Sequence, residues 1–290
     1  MTVQEQEALF YNTPLGFQQR CWETTAALTA MDTSESSHDT ETCVAWLKDK
    51  LNRAHFEIEI HHNGDAPPML IARREALVDG RPANQQGSTI LVYNHYDVDE
   101  PTHAWSSDPF TLTHQGERWA GLGVADNKGA LAARLVALSL LKDRCPALVW
   151  VIQGQEESGS SLARQWFSNA SPDCDVWIEE NGWTDPDGTQ RLLAVRRDNH
   201  RLNPPKKDTA EKLLKSLGGN APRRLEARLM NKSLVPGGCP FQSALPNGAL
   251  YLSFGTNDAQ TRIHAADESI ADNAVARHAH QFAALLNSFC

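Results

Sequence analysis

Residues 88–95 read STILVYNH, and the apolar side chains of Ile90, Leu91, Val92 and Tyr93 follow one another without a polar break. A strand with no polar face has to be covered on both sides, as happens in a sheet with helices above and below it. Residues 147–154, ALVWVIQG, and 174–180, CDVWIEE, have the same character. Helical periodicity fills the gaps between them. In residues 126–143 Leu131, Leu135, Leu138 and Leu141 recur at helical spacing, and Asp126 or Asn127 is placed to cap the start. Residues 160–170 form a second helical segment, and the patterning predicts further helices over 17–31, 38–53, 208–218 and 269–288. Residues 56–62 alternate like a half-buried strand and can pair with 68–74 across the turn NGDAPP; residues 191–197 and 248–256 are also strands. Such alternation implies an α/β three-layer sandwich around a mostly parallel central sheet.

The 290 residues, 41% hydrophobic and 22% charged, suffice for one large domain or two average ones, and residues 1–290 are read as one. A formal net charge of −9 argues against nucleic acid or an anionic membrane surface as partner. No run is long and apolar enough to span a membrane, and the opening MTVQEQEALF lacks the basic-then-apolar pattern of a secretory leader. The six cysteines follow no pairing rhythm and read as reduced thiols, so the expected compartment is the cytoplasm.

In an open α/β sheet, sites gather at the carboxyl ends of the strands. Those ends share one chemistry here. The first carries His95 and Asp97, the second Glu156 and Glu157, the third Glu179 and Glu180; Asp258 and His264 follow the last strand, and Asp126 opens a helix. Imidazole nitrogen with carboxylate oxygen suits zinc and its neighbours, and the set is larger than one tetrahedral ion needs. A two-metal site with a bridging carboxylate uses it better. The His-x-Asp pair fits a ligating histidine held by its second nitrogen. Glu156 and Glu157 fit a division of labour between metal ligand and general base.

The segments NHYDVDEP, GLGVADNKG, QGQEESGS, IEENGW and FGTNDAQTRIHAADE, in that order, resemble the di-zinc aminoacylase, carboxypeptidase and dipeptidase metallopeptidases. That family includes carnosinase-type dipeptidases, acetylornithine deacetylase and succinyl-diaminopimelate desuccinylase. The resemblance implies two divalent ions, zinc with cobalt or manganese as alternatives. It implies His95, Asp126, Glu157, Glu180 and His264 as ligands, with Asp126 bridging and Glu179 the alternative to Glu180. It implies Asp97 as the partner of His95 and Glu156 as the catalytic base. The activity implied is hydrolysis of an amide bond in a small peptide, N-acyl amino acid or aminoacylated metabolite.

The resemblance breaks after residue 183. The family inserts a lid domain, which supplies a dimer interface and a histidine for the scissile carbonyl. Here that insertion, expected near residues 197–206, is missing, and LVPGGCPF lacks an arginine the family carries before its glycines. A monomer is therefore expected. His200 takes the lid histidine's place by position, with Asn181 and Trp183 as further candidate substrate contacts. Two other readings stay open: an amide-forming or acyl-transfer enzyme, and a decayed metal-binding relative.

Overall fold

A computed structural model describes residues 13–37, 39–83, 87–101, 105–141, 143–170, 172–186, 189–199, 201–203, 205–216, 225–226, 241 and 244–290. His200, and LVPGGCPF apart from Phe241, lie outside the described residues.

Helix α1 (Pro14–Thr29) begins where the Thr13 side chain accepts from the Gly16 amide at 3.1 Å, with Pro14 in the first turn. Helix α2 (Thr40–Arg53) buries Cys43, Val44, Leu47 and Leu51 along one stripe. The strands are β1 (Glu57–Asn63), β2 (Ala66–Arg74), β3 (Leu77–Val78), β4 (Arg81–Pro82), β5 (Thr89–His95), β6 (Thr113–Gln115) and β7 (Arg118–Ala120). Then come α3 (Lys128–Ala137), β8 (Ala147–Gln153), α4 (Ser161–Asn169), β9 (Val176–Ile178), β10 (Leu192–Asp198) and β11 (Arg201–Asn203). The chain continues through α5 (Lys207–Ser216), β12 (Leu225–Glu226), β13 (Leu250–Ser253), β14 (Ser269–Ala271) and α6 (Ala274–Asn287).

The main sheet runs β1-β2-β8-β5-β9-β13-β10-β11, with β12 beside β10. Its centre, β8-β5-β9-β13, is parallel, and antiparallel strands flank it on both sides. Alternate residues of the central strands enter different cores, as the two-residue period of a strand requires. Ile90 and Val92 pack with α1, α2, α3 and α6; Leu91 and Tyr93 pack with Leu162, Ala163 and Phe167 of α4. Helices therefore cover both faces. From β5 the chain passes through α3 to β8 on one side, and from β8 through α4 to β9 on the other. The connections diverge at the carboxyl end of β5, which opens a crevice there.

Two helices depart most from the expected bounds. The helix expected over 126–143 ends at Ala137 and tightens into a 3-10 turn at Leu138–Leu140. Ser139 Oγ donates to the Val136 carbonyl at 2.7 Å and competes for the helical backbone. Neither Asp126 nor Asn127 caps its start through a side chain. The last helix begins at Ala274, because Ser269–Ala271 pair antiparallel with β7 and place Ile270 in the core. Strands β14, β7 and β6 form a small second sheet.

A Cβ on Gly129 would lie 2.1 Å from the Val124 carbonyl oxygen, so the DNKG turn closes only around glycine. Gly129→Ala is expected to destabilise the protein by about 1–3 kcal/mol, as overpacking does. A urea melt should show a lower midpoint at unchanged slope; an unchanged midpoint would mean that the turn can move aside.

Candidate metal centre and active site

His95 is the last residue of β5 and is fully buried. Its Nδ1 lies 3.1 Å from the Asp97 carbonyl oxygen and 3.3 Å from Asp97 Oδ1. Its Nε2 faces Asp126 Oδ1 at 3.1 Å and Glu180 Oε2 at 3.8 Å. The other oxygen of Asp126 faces His264 Nε2 at 3.6 Å, and that nitrogen lies 3.2 Å from Glu157 Oε2 and 3.9 Å from Asp99 Oδ2. Asp126 thus stands between two imidazoles, one oxygen toward each. Asp97 is used twice as well, since its Oδ2 accepts from the Glu157 amide at 3.0 Å.

Adjacent residues at a strand end point to opposite sides, and this separates Glu179 from Glu180. Glu179 accepts a hydrogen bond from the Tyr251 hydroxyl, and Tyr251 belongs to the core on the α4 side. Glu180 is the member of the pair that faces His95. Asn181 donates to Asp126 Oδ1 at 2.7 Å, while its own oxygen accepts from Asn127 at 3.2 Å and Asn257 at 3.1 Å. Trp183 is 44% exposed beside these groups in sequence. Asp258 does not join the cluster: Arg118 holds its carboxylate at 2.9 and 3.1 Å.

Burial governs the charges. It pushes Glu156 up, with Glu157, Asp126 and Asp97 adding to the effect against His95. Glu157 is raised chiefly by burial, and Glu180 is raised well above the carboxylate range by burial and by Glu179. Burial pulls His95 down, yet Glu180, Asp126 and Asp97 together hold it well above its ordinary value. His264 rises to about 9, mainly through its hydrogen bond to Glu157. Burial would raise Asp126, but His95, Asn181 and His264 keep it low. The cluster sets the carboxyl groups of Asp97, Asp126, Glu156, Glu157 and Glu180 around two histidines, a donor set suited to cations.

The donor set fits divalent ions. Glu180 Oε2 is buried without a hydrogen-bond donor. Tetrahedral bonds of about 2.0–2.1 Å put neighbouring ligand atoms about 3.3 Å apart. The four histidine–carboxylate separations of 3.1, 3.8, 3.6 and 3.2 Å bracket that value. Among the described residues, His95, Asp126 and Glu157, and again Asp99, Glu157 and His264, bring one donor atom each close enough together to hold an ion; Glu180 faces the first group at 3.8 Å from His95 Nε2.

Three supports escaped the sequence reading. Buried Glu268 accepts from the amides of Gly123 at 2.9 Å, Ala125 at 2.6 Å and Asp126 at 3.0 Å, and so fixes the loop that delivers Asp126. Burial lifts it to about 8. Asn94 and Arg134 lie beneath His95 in a buried polar network. A charge in the apolar stretch LAARLVAL was the available signal for Arg134.

The model for Peptidase family M20/M25/M40 matches residues 91–288. Among similar proteins, a cysteinylglycine-S-conjugate dipeptidase of Corynebacterium striatum is 29% identical over 138 residues, 46% of this chain and 29% of that protein. A succinyl-diaminopimelate desuccinylase of Rhizorhabdus wittichii is 38% identical over 107 residues, 37% of this chain and 27% of that protein. The matched segments thus span under a third of these relatives. The fold resembles that of the di-peptidase Dug1p of Saccharomyces cerevisiae, with a TM-score of 0.66 at 13% identity over 94% of this chain and 96% of that one. It also resembles an M20 family metallo-carboxypeptidase of Sulfolobus solfataricus, with a TM-score of 0.60 at 16% identity over 92% and 99%. With a family model that takes in β5 through α6, and an α/β frame shared with solved M20 enzymes, this chain belongs to peptidase family M20.

Proposed function

We propose that the protein is a two-metal hydrolase that cleaves an amide bond in a small peptide, an N-acyl amino acid or an aminoacylated metabolite. The position of Asp126, one oxygen on each histidine, carries this reading. Similar proteins named as a dipeptidase and a desuccinylase support the bond class. Imidazole and carboxylate donors favour zinc, with cobalt and manganese also compatible.

Bound divalent ions would supply Lewis acidity and lower the pKa of water near the scissile bond. Every other part falls to side chains. Asp97 holds His95 at Nδ1, fixes its tautomer and leaves Nε2 facing Asp126 and Glu180. Asn181 orients Asp126 through a 2.7 Å hydrogen bond. Glu156, its affinity for protons raised by burial, takes the proton of the attacking water and passes it to the leaving nitrogen. A cleft of about 360 Å³, lined in part by Thr33, Asp97, Asp99, Gln155 and Glu157, adjoins these groups and suits a small substrate.

Between Trp183 and α5 the described chain forms β10 and β11 of the main sheet. This supports a catalytic domain without an inserted lid, an open cleft and a monomer. An open cleft would relax the limit on substrate size. Gel filtration should give a single-chain mass, and a tight dimer would mean that another surface has taken over the lid's role.

Purified protein is expected to contain close to two divalent ions per chain, as a two-metal site requires. Chelation should remove activity and lower the melting temperature. Full activity in metal-free protein would end the two-metal reading. Glu156→Gln should lower kcat by about 10²–10⁴, the usual contribution of a positioned acid–base group, with metal content unchanged. Activity that survives the substitution would place the base elsewhere. Dipeptides and N-acyl amino acids, each assayed with zinc, manganese and cobalt, separate the substrate classes.

A further inference from the structure

Arg134 lies within α3 and is fully buried. Among the described residues no carboxylate forms an ion pair with it. A guanidinium has five N–H donors, and each has an acceptor here. Nε donates to His278 Nε2 at 3.2 Å. Nη1 donates to the Tyr93 carbonyl and to Asn94 Oδ1, both at 2.9 Å. Nη2 donates to the carbonyls of Glu179 and Glu180, the latter at 3.2 Å. The Phe282 ring lies 5.5 Å from the guanidinium carbon. A buried cation is costly unless it is satisfied in this way.

The acceptors sit where the sheet is incomplete. Strands β5 and β9 pair only from Ile90–Val176 to Val92–Ile178. Beyond that register β5 runs on to His95 and the segment after β9 to Glu180, with no ladder between them. Tyr93 and Asn94 immediately precede His95, and Glu179 and Glu180 directly follow β9. Arg134 therefore ties the end of β5 to the segment that follows β9. Asn94 adds a second tie: its Oδ1 also accepts from Trp150 Nε1 at 3.0 Å, and its amide donates to Asn127 Oδ1. Asn127 in turn donates to the Glu180 carbonyl at 3.1 Å.

We propose that Arg134, together with Asn94, is a positioning residue whose guanidinium replaces the missing ladder between β5 and β9 and sets the separation of His95 and Glu180. The inference rests on the two-metal reading, in which these two side chains hold one ion with Asp126. The task needs the planar fork of arginine, because a lysine ammonium offers three donors from a single point.

The test compares full-length wild type with Arg134→Lys, Asn94→Ala and Val136→Ala. Val136 is a core residue of the same helix and lies in the apolar cluster. Metal-free protein is titrated with cobalt(II), and the stepwise affinities and absorption spectrum are read beside the melting temperature. Wild type should bind two cobalt ions. Arg134→Lys and Asn94→Ala should weaken one step by about 10–100-fold, the usual effect of losing a group that supports a metal ligand, and shift the spectrum of that ion alone. Val136→Ala should lower the melting temperature with both affinities unchanged. If Arg134→Lys and Asn94→Ala behave like Val136→Ala, the positioning role is overturned and the two-metal reading stands. Should Arg134→Lys fail to fold, Asn94→Ala decides by the same two criteria. A wild type that takes up no cobalt overturns the two-metal reading and this inference with it.

Discussion

The carboxylate of Asp126 meets an imidazole on each side, His95 at 3.1 Å and His264 at 3.6 Å, and the architecture serves that meeting. One histidine ends the central strand, and the other lies in the loop that follows β13. Asp126 reaches the gap from a third segment, the turn that leads into α3. Glu268 holds that turn by three backbone amides, and glycine at position 129 lets the helix start close against it. The site brings many carboxylates out of water. Burial raises Glu156, Glu157, Glu180 and Glu268 toward their neutral forms. Buried charge has to be matched, and the carboxylates around His95 and His264 raise the affinity of both imidazoles for protons. Divalent ions would also match it, which ties metal binding to the stability of this corner of the fold.

Beneath the donors lies a polar layer. Asn94, Asn127, Asn181 and Arg134 exchange hydrogen bonds among themselves, with Asp126, and with the carbonyls of Glu179 and Glu180. A network of this kind stiffens a site only when its members are satisfied. Arg134 meets that condition at every donor. The strands therefore give the histidine and glutamate their approximate places, and the network sets how closely they approach.

Much of this was legible in the residue order. Apolar runs such as ILVY and LVWVI fit strands covered on both faces, because they are short, rich in β-branched and aromatic residues and end in polar segments. The acidic and histidine residues at the ends of those runs point to a metal site, since the carboxyl ends of parallel strands converge on one edge. Helix limits were less legible. Residues 269–271 suit a helix locally, yet they pair with Arg118, Trp119 and Ala120, a partner far away in sequence. Asp126 reads locally as a helix cap, and the fold turns it toward two distant histidines instead. Asp258 stands in sequence among the strand-end carboxylates, and Arg118 takes it out of the cluster.

Residue types and their spacing were enough to establish an α/β chain with histidine and carboxylates at its strand ends, because hydrophobic periodicity and donor chemistry are local properties. The direction of each side chain was not local. Glu179 and Glu180 are chemically alike, and only the pleat at the end of β9 sends one to Tyr251 and the other to His95. Arg134 and Glu268 look like ordinary charges on a helix and in a loop. Packing buries both, and a buried charge has to find partners, so the tertiary structure alone makes them supports of the candidate metal centre.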